Sequence, residues 1–236
     1  MIKTIVLDIE VSPEVTLTYP PHHDLRYLAV LKYQYLYCFS YKILGKKKVY
    51  NHALPDYKTF KTNPHDDKEL AKELYKVLEN CDQVICHNVA FDIPMSKSRF
   101  IYHGLPPIKP VHGICTLQMA RKVAKFPSNS LKELALFLGI QKKMETSKGL
   151  GEILYTDPYN MKKWKEMRLY NDIDTVVCEE AHDILCGWRG KTSAPLHAGV
   201  CQGCGSNDYQ LRGRNLTRAG GMRAQCKECL MWFVIK

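Results

Sequence analysis

The sequence predicts an α/β fold in which helices flank a mixed sheet, followed by a small cysteine-containing module. Three observations support this expectation. Strand-forming segments come first, and two of them flank a turn at Gly45-Lys46. Amphipathic helical segments then alternate with a short apolar segment, as in folds that pack helices against a sheet. Two Cys-x-x-Cys pairs, beginning at Cys201 and Cys226, follow a stretch rich in Gly, Ser, Thr and Pro.

The predicted strands lie in the first part of the chain. Thr4–Glu10 is a largely apolar segment that predicts a first strand, and Tyr35–Leu44 is rich in aromatic strand formers. Lys48–Leu54 is expected to return beside Tyr35–Leu44 as the second strand of a hairpin. Gln83–Cys86 is a short apolar segment and predicts a buried strand.

Helices are predicted from apolar periodicity and from capping residues. In the first predicted helix, three leucines and a valine share one face while lysines lie elsewhere. Ser130 and Glu133 form a capping box, in which each side chain satisfies an open backbone N–H at the start of a helix. The predicted helices are Asp67–Leu78, Ile93–Tyr102, Leu131–Leu138 and Met161–Leu185.

Acidic residues occur where the predicted strands end. Asp8 and Glu10 are two apart on the first strand and therefore share a face. An acid in such an apolar segment is unfavourable in a core without a partner, although the frayed end of an edge strand gives the same pattern. Asp92 follows Gln83–Cys86, where a strand passes into a helix, a frequent place for chemistry in open α/β sheets. Asp92 can equally be a helix cap.

The last predicted helix contributes a third acidic string. Tyr170 and Asp174 are four apart and lie on one helix face, a spacing that is also common in ordinary helices. Asp172 is rotated by about 200° from Asp174, and we predict that it is a surface acid pointing elsewhere. The four remaining carboxylates are hard oxygen ligands, which suit two divalent cations held about 4 Å apart.

Taken in chain order, Asp-x-Glu, Asn-x-x-Phe-Asp and Tyr-x-x-x-Asp resemble the three exonuclease motifs of the DEDD superfamily. The chain is similar to the tyrosine branch of that superfamily over about residues 4–186, and to its stand-alone members, many of them carried by bacteriophages. The segments Phe39–Gly45 and Ser130–Ile140 add to the likeness. The resemblance implies a ribonuclease H-like fold and 3′-to-5′ exonuclease activity.

The resemblance also implies a role for each motif residue. Tyr170 would orient or deprotonate the attacking water, and its ordinary pKa of about 10 favours orientation at neutral pH. Asn88 and Phe91 would border the terminal nucleotide. One cation would lower the pKa of the water, and the other would neutralise the departing 3′ oxygen. Asp8, Glu10, Asp92 and Asp174 would hold two Mg²⁺ or Mn²⁺ ions, and the carboxylate of Asp8 would bridge the two ions.

Two positions depart from the family's pattern. Members often have threonine where this chain has Val11, and aspartate where it has Cys115. These differences affect fine substrate contacts and leave the predicted ligands in place. Leu169 stands where the histidine branch has its base, which disfavours that branch. His87 precedes Asn88, and we interpret it as a structural or supporting residue because Mg²⁺ prefers oxygen ligands.

The C-terminal cysteines predict a second metal site. Two Cys-x-x-Cys pairs separated by twenty-one residues are typical of tetrahedral Zn²⁺ binding, and the module resembles a zinc ribbon. A piece this small needs the metal for folding energy. Basic residues with Trp232 and Phe233 suit single-stranded nucleic acid, although the rings can equally form the module's core, and the module can equally dock a protein. The cysteines are Cys201, Cys204, Cys226 and Cys229, and the basic residues are Arg212, Arg214, Arg218, Arg223 and Lys227.

Composition limits the remaining possibilities. The net charge is +10, and eight Lys or Arg against two Asp or Glu from Gly187 onward favour a polyanion partner for the tail. No apolar stretch is long enough to span a membrane, and the first residues lack a secretory pattern. Six further cysteines in apolar segments favour a reducing compartment, so we expect a cytoplasmic protein, in the host cytoplasm if a phage encodes it. The predicted organisation is an exonuclease domain over residues 1–186, a linker over 187–199 and the zinc ribbon over 200–236.

We therefore expect a metal-dependent 3′-to-5′ exonuclease that acts on single-stranded DNA, with two Mg²⁺ or Mn²⁺ and one structural Zn²⁺. An RNA-trimming exonuclease and a structure-specific endonuclease on the same fold are alternatives. A non-catalytic nucleic-acid-binding or recruitment protein is an alternative of another class. The complete set of four acids and Tyr170 argues against a decayed site.

Overall fold

The computed structural model describes residues 3–18, 27–140, 146–188, 200–201, 206–211, 222–227 and 231–235. The strands are β1 (Thr4–Val11), β2 (Val15–Thr18), β3 (Tyr27–Lys32), β4 (Leu36–Ile43), β5 (Val49–Ala53), β6 (Gln83–Cys86), β7 (His112–Cys115), β8 (Tyr209–Leu211), β9 (Met222–Cys226) and β10 (Trp232–Ile235). The helices are α1 (Lys68–Glu79), α2 (Val89–Tyr102), α3 (Thr116–Val123), α4 (Leu131–Phe137), α5 (Leu150–Thr156) and α6 (Met161–Trp188).

The main sheet is mixed, with five strands in the order β5-β4-β1-β6-β7. β4 is antiparallel to both β1 and β5, whereas β6 runs parallel to β1 and β7 runs parallel to β6. The β1–β6 ladder ends at the pair Val6–Ile85, so the carboxyl end of β1 extends past its parallel neighbour. This end of β1 carries Asp8 and Glu10, and the chain that leaves β6 turns into α2 beside it.

Apolar side chains cover both faces of the sheet, as the alternation of strand residues requires. Leu7 and Phe39 belong to a large core that includes Leu70 and Leu74 of α1. Val6, on the opposite face of β1, packs in a cluster with Ile85 and with Cys178 of α6. The α/β architecture with a helix-flanked mixed sheet is therefore confirmed.

Buried polar contacts tie α6 to β4. The hydroxyl of Ser40 donates a hydrogen bond to the backbone carbonyl of Asn171 at 2.7 Å, and Lys42 forms a buried ion pair with Glu179. The other carboxylate oxygen of Glu179 accepts a bond from the backbone N–H of Gly45 at 2.8 Å. Because a buried polar group without a partner is costly, these contacts fix the rotation of α6 and the direction of its site residues.

Several elements differ from the sequence prediction. α2 begins at Val89 instead of Ile93, because the left-handed backbone of Asn88 lets the helix start directly after the β6 turn. α6 continues through Gly187 and Trp188, which the sequence assigns to the linker. The sequence does not predict β2, β3, β7, α3 or α5, which have four to eight residues each and gain order from their neighbours.

Other expectations are confirmed. β6 has the predicted bounds, and the Ser130 hydroxyl accepts a bond from the backbone N–H of Glu133, which is half of the predicted capping box. Among the described helices, none is long and apolar enough to cross a bilayer. The six scattered cysteines are all buried, and they are Cys38, Cys81, Cys86, Cys115, Cys178 and Cys186.

The described C-terminal residues form a three-stranded antiparallel sheet in the order β10-β9-β8. Cys201, Cys226 and Phe233 are buried together in a small core, while Trp232 is 45% exposed. Phe233 therefore belongs to the core of the C-terminal module, as one of the two alternatives for the aromatic rings predicts, whereas Trp232 does not. The domain limits remain predictions. Outside the described residues lie Cys204, Cys229, Arg212, Arg214, Arg218 and residues 189–199 of the predicted linker.

Candidate active site

Asp8 and Glu10 lie at the carboxyl end of β1 on the face that α6 covers. Asp8 is paired across the sheet with Ser40, which also contacts α6. The side-chain amide of Asn171 donates to Asp8 Oδ2 at 2.6 Å and to the Asp8 carbonyl at 3.2 Å. Glu10 follows on the same face, as the two-residue period of a strand requires. The strand thus delivers two carboxylates to one place.

The first turns of α2 bring Asp92 to the same end of β1. Asn88 precedes the helix with φ 77° and ψ 54°, a left-handed conformation that asparagine tolerates better than most residues. Asp92 is 3% exposed, and the backbone N–H of Ile9 donates to its carboxylate. The alternative that Asp92 caps α2 is wrong, because Asn88 holds the N-cap position. The side chains of Asn88 and Phe91 are exposed at the rim of this turn.

α6 presents Tyr170 and Asp174 on one face, as predicted, and the phenol donates a hydrogen bond to the carboxylate. Asp172 points elsewhere and accepts a bond from the side-chain amide of Asn51 at 2.8 Å. Its predicted direction is confirmed. The prediction that it is a surface acid is wrong, since its side chain is partly buried and bonded to Asn51 on β5.

Three of the acids meet closely enough to share a cation. One carboxylate oxygen from each of Asp8, Glu10 and Asp174 lies within 4.8 Å of the others, and Asp92 is near enough to repel Asp8 and Glu10. We call these four residues the acidic cluster. No other residues of the described chain bring together acids that raise one another's pKa in this way.

Burial raises the pKa of every acid of this cluster, and repulsion from neighbouring carboxylates adds to the shift for Asp8 and Glu10. Burial, followed by the charges of Glu10 and Asp92, raises the pKa of Asp8 well above its usual range. Burial, followed by Asp174 and Asp92, raises the pKa of Glu10 to about 8. Burial also raises the pKa of Asp92 to about 7 and that of Asp174 to about 6. Such a group of carboxylates is unfavourable alone and is well suited to hard divalent cations, which would neutralise it.

Tyr170 keeps its proton at neutral pH. Burial, followed by the charges of Asp174 and Glu10, raises the pKa of its phenol above the ordinary value. An un-ionised phenol donates one hydrogen bond and accepts others. The geometry therefore suits a residue that orients a water molecule rather than one that removes its proton.

Asn171 is a site residue that the sequence reasoning does not identify. It is fully buried, and its amide holds the Asp8 carboxylate in place. A signal was available, because Asn171, Thr175 and Cys178 follow helical spacing on the face of α6 that packs on the sheet. A fully buried amide on such a face indicates a specific polar partner.

His87 is structural, in agreement with the sequence interpretation. Its Nδ1 bonds to the hydroxyl of Thr116 at 2.8 Å, and its Nε2 bonds to the carbonyl of Asn129 at 2.9 Å. Burial lowers the pKa of the ring. Since both nitrogens are engaged, His87 supports the turn before Asn88 and does not reach the acids.

A second group of possible metal ligands differs from the acidic cluster, because the pKa of its central acid is lowered instead of raised. Asp67 accepts bonds from Nε and Nη2 of Arg99, both at 2.8 Å, from His103 at 2.6 Å and from the backbone N–H of Leu36 at 2.8 Å. Burial alone would raise the pKa of Asp67, but hydrogen bonds from His103 and Arg99 lower it. Because these oxygens are already satisfied, the group joins β4, α1 and α2 instead of holding a cation.

The two described cysteines of the C-terminal pairs lie in matching turns. The backbone N–H of Cys201 donates to the carbonyl of Ser206 at 2.8 Å, and that of Cys226 donates to the carbonyl of Met231 at 2.9 Å, which is the same sequence separation. Both residues are fully buried in one small core. Thiolates brought together in this way fit the donor set of a Zn²⁺ site.

Comparisons with known proteins agree with the fold. No curated protein matches this chain in sequence. A family B DNA polymerase from the hyperthermophilic archaeon Pyrobaculum calidifontis is similar in structure, with a TM-score of 0.55 and 14% identity. The match covers 79% of this chain and 25% of the polymerase chain, so the protein spans about a quarter of that relative's length.

A family model gives the assignment. The model described as RNase_H superfamily matches residues 32–185, which is more than half of the chain. The matched segment contains Asp92, Tyr170 and Asp174 and begins after Asp8 and Glu10. With its mixed sheet and its acidic cluster, which could hold metal, the chain belongs to the RNase_H superfamily.

Proposed function

We propose that this protein is a metal-dependent 3′-to-5′ exonuclease of the tyrosine branch of the DEDD superfamily. The observation that carries the proposal is the meeting of Asp8, Glu10 and Asp174 within 4.8 Å, with buried Asp92 beside them. Membership of the RNase_H superfamily supports phosphodiester hydrolysis as the reaction class. The 3′-to-5′ direction rests on the resemblance of the three motifs.

The residues of the acidic cluster would hold two Mg²⁺ or Mn²⁺ ions. When bound, such ions supply an activated water and neutralise charge on the departing oxygen. Asn171 keeps the carboxylate of Asp8 in one orientation through its 2.6 Å hydrogen bond. Tyr170, un-ionised and bonded to Asp174, would orient the water for attack in line with the leaving group.

Single-stranded DNA is the substrate we propose. The structural relative is a DNA polymerase, which supports DNA over RNA. Asn88 and Phe91, exposed beside Asp92, would border the terminal nucleotide, because a half-exposed ring next to the acids gives an unpaired base a surface to stack on. A paired duplex end would have to open before its base could reach this rim.

We further propose that Cys201, Cys204, Cys226 and Cys229 hold one structural Zn²⁺ in a zinc ribbon. The burial of Cys201 and Cys226 in one core supports this site. Exposed Trp232, together with the basic residues of the module, would contact nucleic acid.

Metal analysis of the purified protein, before and after replacement of Cys226 with serine, tests the proposed zinc site. One zinc per chain that is lost in the variant supports the site, and a zinc-free protein contradicts it.

The cleavage test uses 5′-labelled single-stranded DNA and RNA of the same sequence with Mg²⁺ or Mn²⁺. Asp174→Asn removes one acid of the cluster. Asp172→Asn is the matched control, because this acid lies on the same helix and points to Asn51. A ladder that shortens from the 3′ end in the wild type and the control, and is absent in Asp174→Asn, supports the proposal.

Other outcomes would select an alternative. Faster loss of the RNA would make the enzyme an RNA-trimming exonuclease, and internal cuts would make it an endonuclease. Tight binding with no cleavage under any metal would contradict an enzymatic role and favour a recruitment protein.

A further inference from the structure

A row of three polar side chains crosses the sheet beneath α6. Asp8 on β1 pairs with Ser40 on β4, and Ser40 pairs in turn with Asn51 on β5. Directly opposed residues of antiparallel strands point to the same face of a sheet. Neighbouring strands lie about 4.8 Å apart, so the outer members of the row, Asp8 and Asn51, are separated by about 10 Å. A side chain placed over the middle of the row can contact both.

Asn171 of α6 occupies that position and contacts all three members of the row. Its backbone carbonyl accepts a hydrogen bond from the Ser40 hydroxyl at 2.7 Å, and its Nδ2 donates to Asp8 Oδ2 at 2.6 Å. Its Oδ1 accepts a hydrogen bond from Nδ2 of Asn51 at 3.4 Å. The donor end of this fully buried amide therefore faces Asp8, and the acceptor end faces Asn51.

The orientation of the Asn171 amide decides whether it attracts or repels the carboxylate of Asp8. Turned by 180°, the amide would present its oxygen to a carboxylate, which has only acceptors to offer when it is ionised. A donor at the opposite end of the amide opposes this reversal, because the buried Oδ1 keeps a partner only in the observed orientation. Nδ2 of Asn51 is that donor.

The amide of Asn51 is itself held in one orientation. Its Nδ2 donates to Oδ1 of Asp172 at 2.8 Å, and its Oδ1 accepts from Nη1 of Arg168 at 3.2 Å. Arg168 also forms an ion pair with Asp56. A reversed Asn51 amide would lose both contacts, because a guanidinium only donates. Asparagine at position 172, as in the control variant of the cleavage test, retains the acceptor oxygen.

We propose that Asn51 is a positioning residue for the metal site, which orients the amide of Asn171 and thereby the carboxylate of Asp8. The inference rests on the proposed function, which makes Asp8 the bridging ligand of the two cations. Among the hydrogen bonds of the described residues, those of Asn51 reach Asp8 through Asn171. Asn51 then contributes to metal affinity without contacting the substrate.

The test measures Mn²⁺ binding to the full chain by calorimetry, without nucleic acid. We expect Asn51→Ala to lower the Mn²⁺ affinity about tenfold, the lower end of the effect of residues that support metal ligands. Asn51→Asp should lower it at least as much, because aspartate keeps the shape of the side chain but replaces the donor with an acceptor. Val49→Ala is the control, since it shortens an apolar side chain on the same face of β5 and should bind Mn²⁺ as the wild type does.

A double-mutant cycle separates positioning from a purely structural role. Once Asn171→Leu has removed the amide, Asn51 has nothing left to orient, so adding Asn51→Ala should lower the Mn²⁺ affinity little further. If Asn51 only joins β5 to α6, the two effects should add. Additive effects on Mn²⁺ affinity would therefore overturn the proposal. Urea unfolding with EDTA confirms that each variant is folded, and Asn51→Asp replaces Asn51→Ala in the cycle if the alanine variant is not.

A spectroscopic signature of the Asn171 amide tests the same contact without metal. In protein labelled with ¹⁵N-asparagine, its side-chain signal is the one that is missing from Asn171→Leu. We expect this amide to exchange its hydrogens slowly with water in the wild type and in Val49→Ala, and faster in Asn51→Ala, which removes its second partner. Equal exchange rates in all three proteins would contradict the positioning role.

The outcomes also separate this inference from the proposed function. Wild-type Mn²⁺ affinity in both Asn51→Ala and Asn51→Asp would overturn the positioning role, even if the protein cleaves DNA. A non-additive loss of Mn²⁺ affinity in a protein that cleaves no nucleic acid would support the positioning role and contradict the exonuclease. A wild-type protein that binds no Mn²⁺ would overturn both.

Discussion

Replacing Asp92 with asparagine is predicted to stabilise the metal-free protein while abolishing metal-dependent cleavage. Asp92 is 3% exposed, and burial raises the pKa of its carboxyl from the ordinary 3.8 to about 7. Asparagine has nearly the same shape, and its side-chain oxygen can still accept the bond from the Ile9 backbone N–H. The substitution therefore removes a buried charge without leaving a cavity.

The sign and size of the effect follow from the pKa shift. Between pH 4 and pH 7 the unfolded chain releases the Asp92 proton while the folded chain retains it, so the folded state loses stability as the pH rises through this window. Each pKa unit corresponds to about 1.4 kcal/mol, and a shift of about three units gives a penalty of about 4 kcal/mol above pH 7. We expect Asp92→Asn to raise the free energy of unfolding at pH 8 by about half of this penalty or more. At pH 4 we expect almost no change in the free energy of unfolding.

Urea unfolding in the presence of EDTA measures this difference at pH 4, 6 and 8. Asp157→Asn is the control, because it removes an exposed acid between α5 and α6. The midpoint for Asp92→Asn should exceed that of the wild type at pH 8 and converge with it at pH 4. Saturating Mg²⁺ should reduce the gap, since it stabilises only the protein that retains all its ligands. A variant that is less stable than the wild type at pH 8 without metal would refute the reasoning.

Three further predictions concern the same site. Asn171→Leu should lower metal affinity or activity about 10- to 100-fold, because Asp8 loses the hydrogen bond that orients it; Mn²⁺ titration measures this, and an unchanged affinity and rate would contradict it. Tyr170→Phe should lower kcat about 100-fold with metal affinity unchanged, as pre-steady-state cleavage and calorimetry would show, and a variant of wild-type rate would remove the water-orienting role. Mg²⁺ affinity should rise between pH 6 and pH 8 with release of protons, because Glu10 and Asp92 have pKa values of about 8 and 7 and must lose their protons to bind; calorimetry in buffers of different ionisation enthalpy detects this, and a pH-independent affinity would contradict it.

The sequence identified the parts of the fold that have strong local signals. β6, α1 and α6 combine apolar patterns with clear ends, and their predicted bounds agree with the structure to within a few residues. β7 could not be predicted in this way. Its segment, His112–Cys115, contains a glycine and becomes a strand because it pairs with β6.

The residues of the site can also be divided into those that the sequence predicts and those that it does not. Asp8, Glu10 and Asp174 follow from the two-residue period of a strand and the four-residue spacing of a helix, and the structure places them together. Helical spacing places the amide of Asn171 on the face of α6 that packs on the sheet, but the sequence does not show its partner, which is a carboxylate on a distant strand. The hydrogen bond from Asn51 to Asp172 likewise depends on the packing of α6 against the sheet and is not visible in the sequence.

The central claim is that the acidic cluster holds two divalent cations. Anomalous diffraction from crystals grown with Mn²⁺ and thymidine 5′-monophosphate tests it most directly. We predict two manganese peaks about 4 Å apart, both contacted by Asp8, with Glu10, Asp92 and Asp174 completing the ligands. An acidic cluster without manganese, or a manganese site formed by other residues, would contradict it.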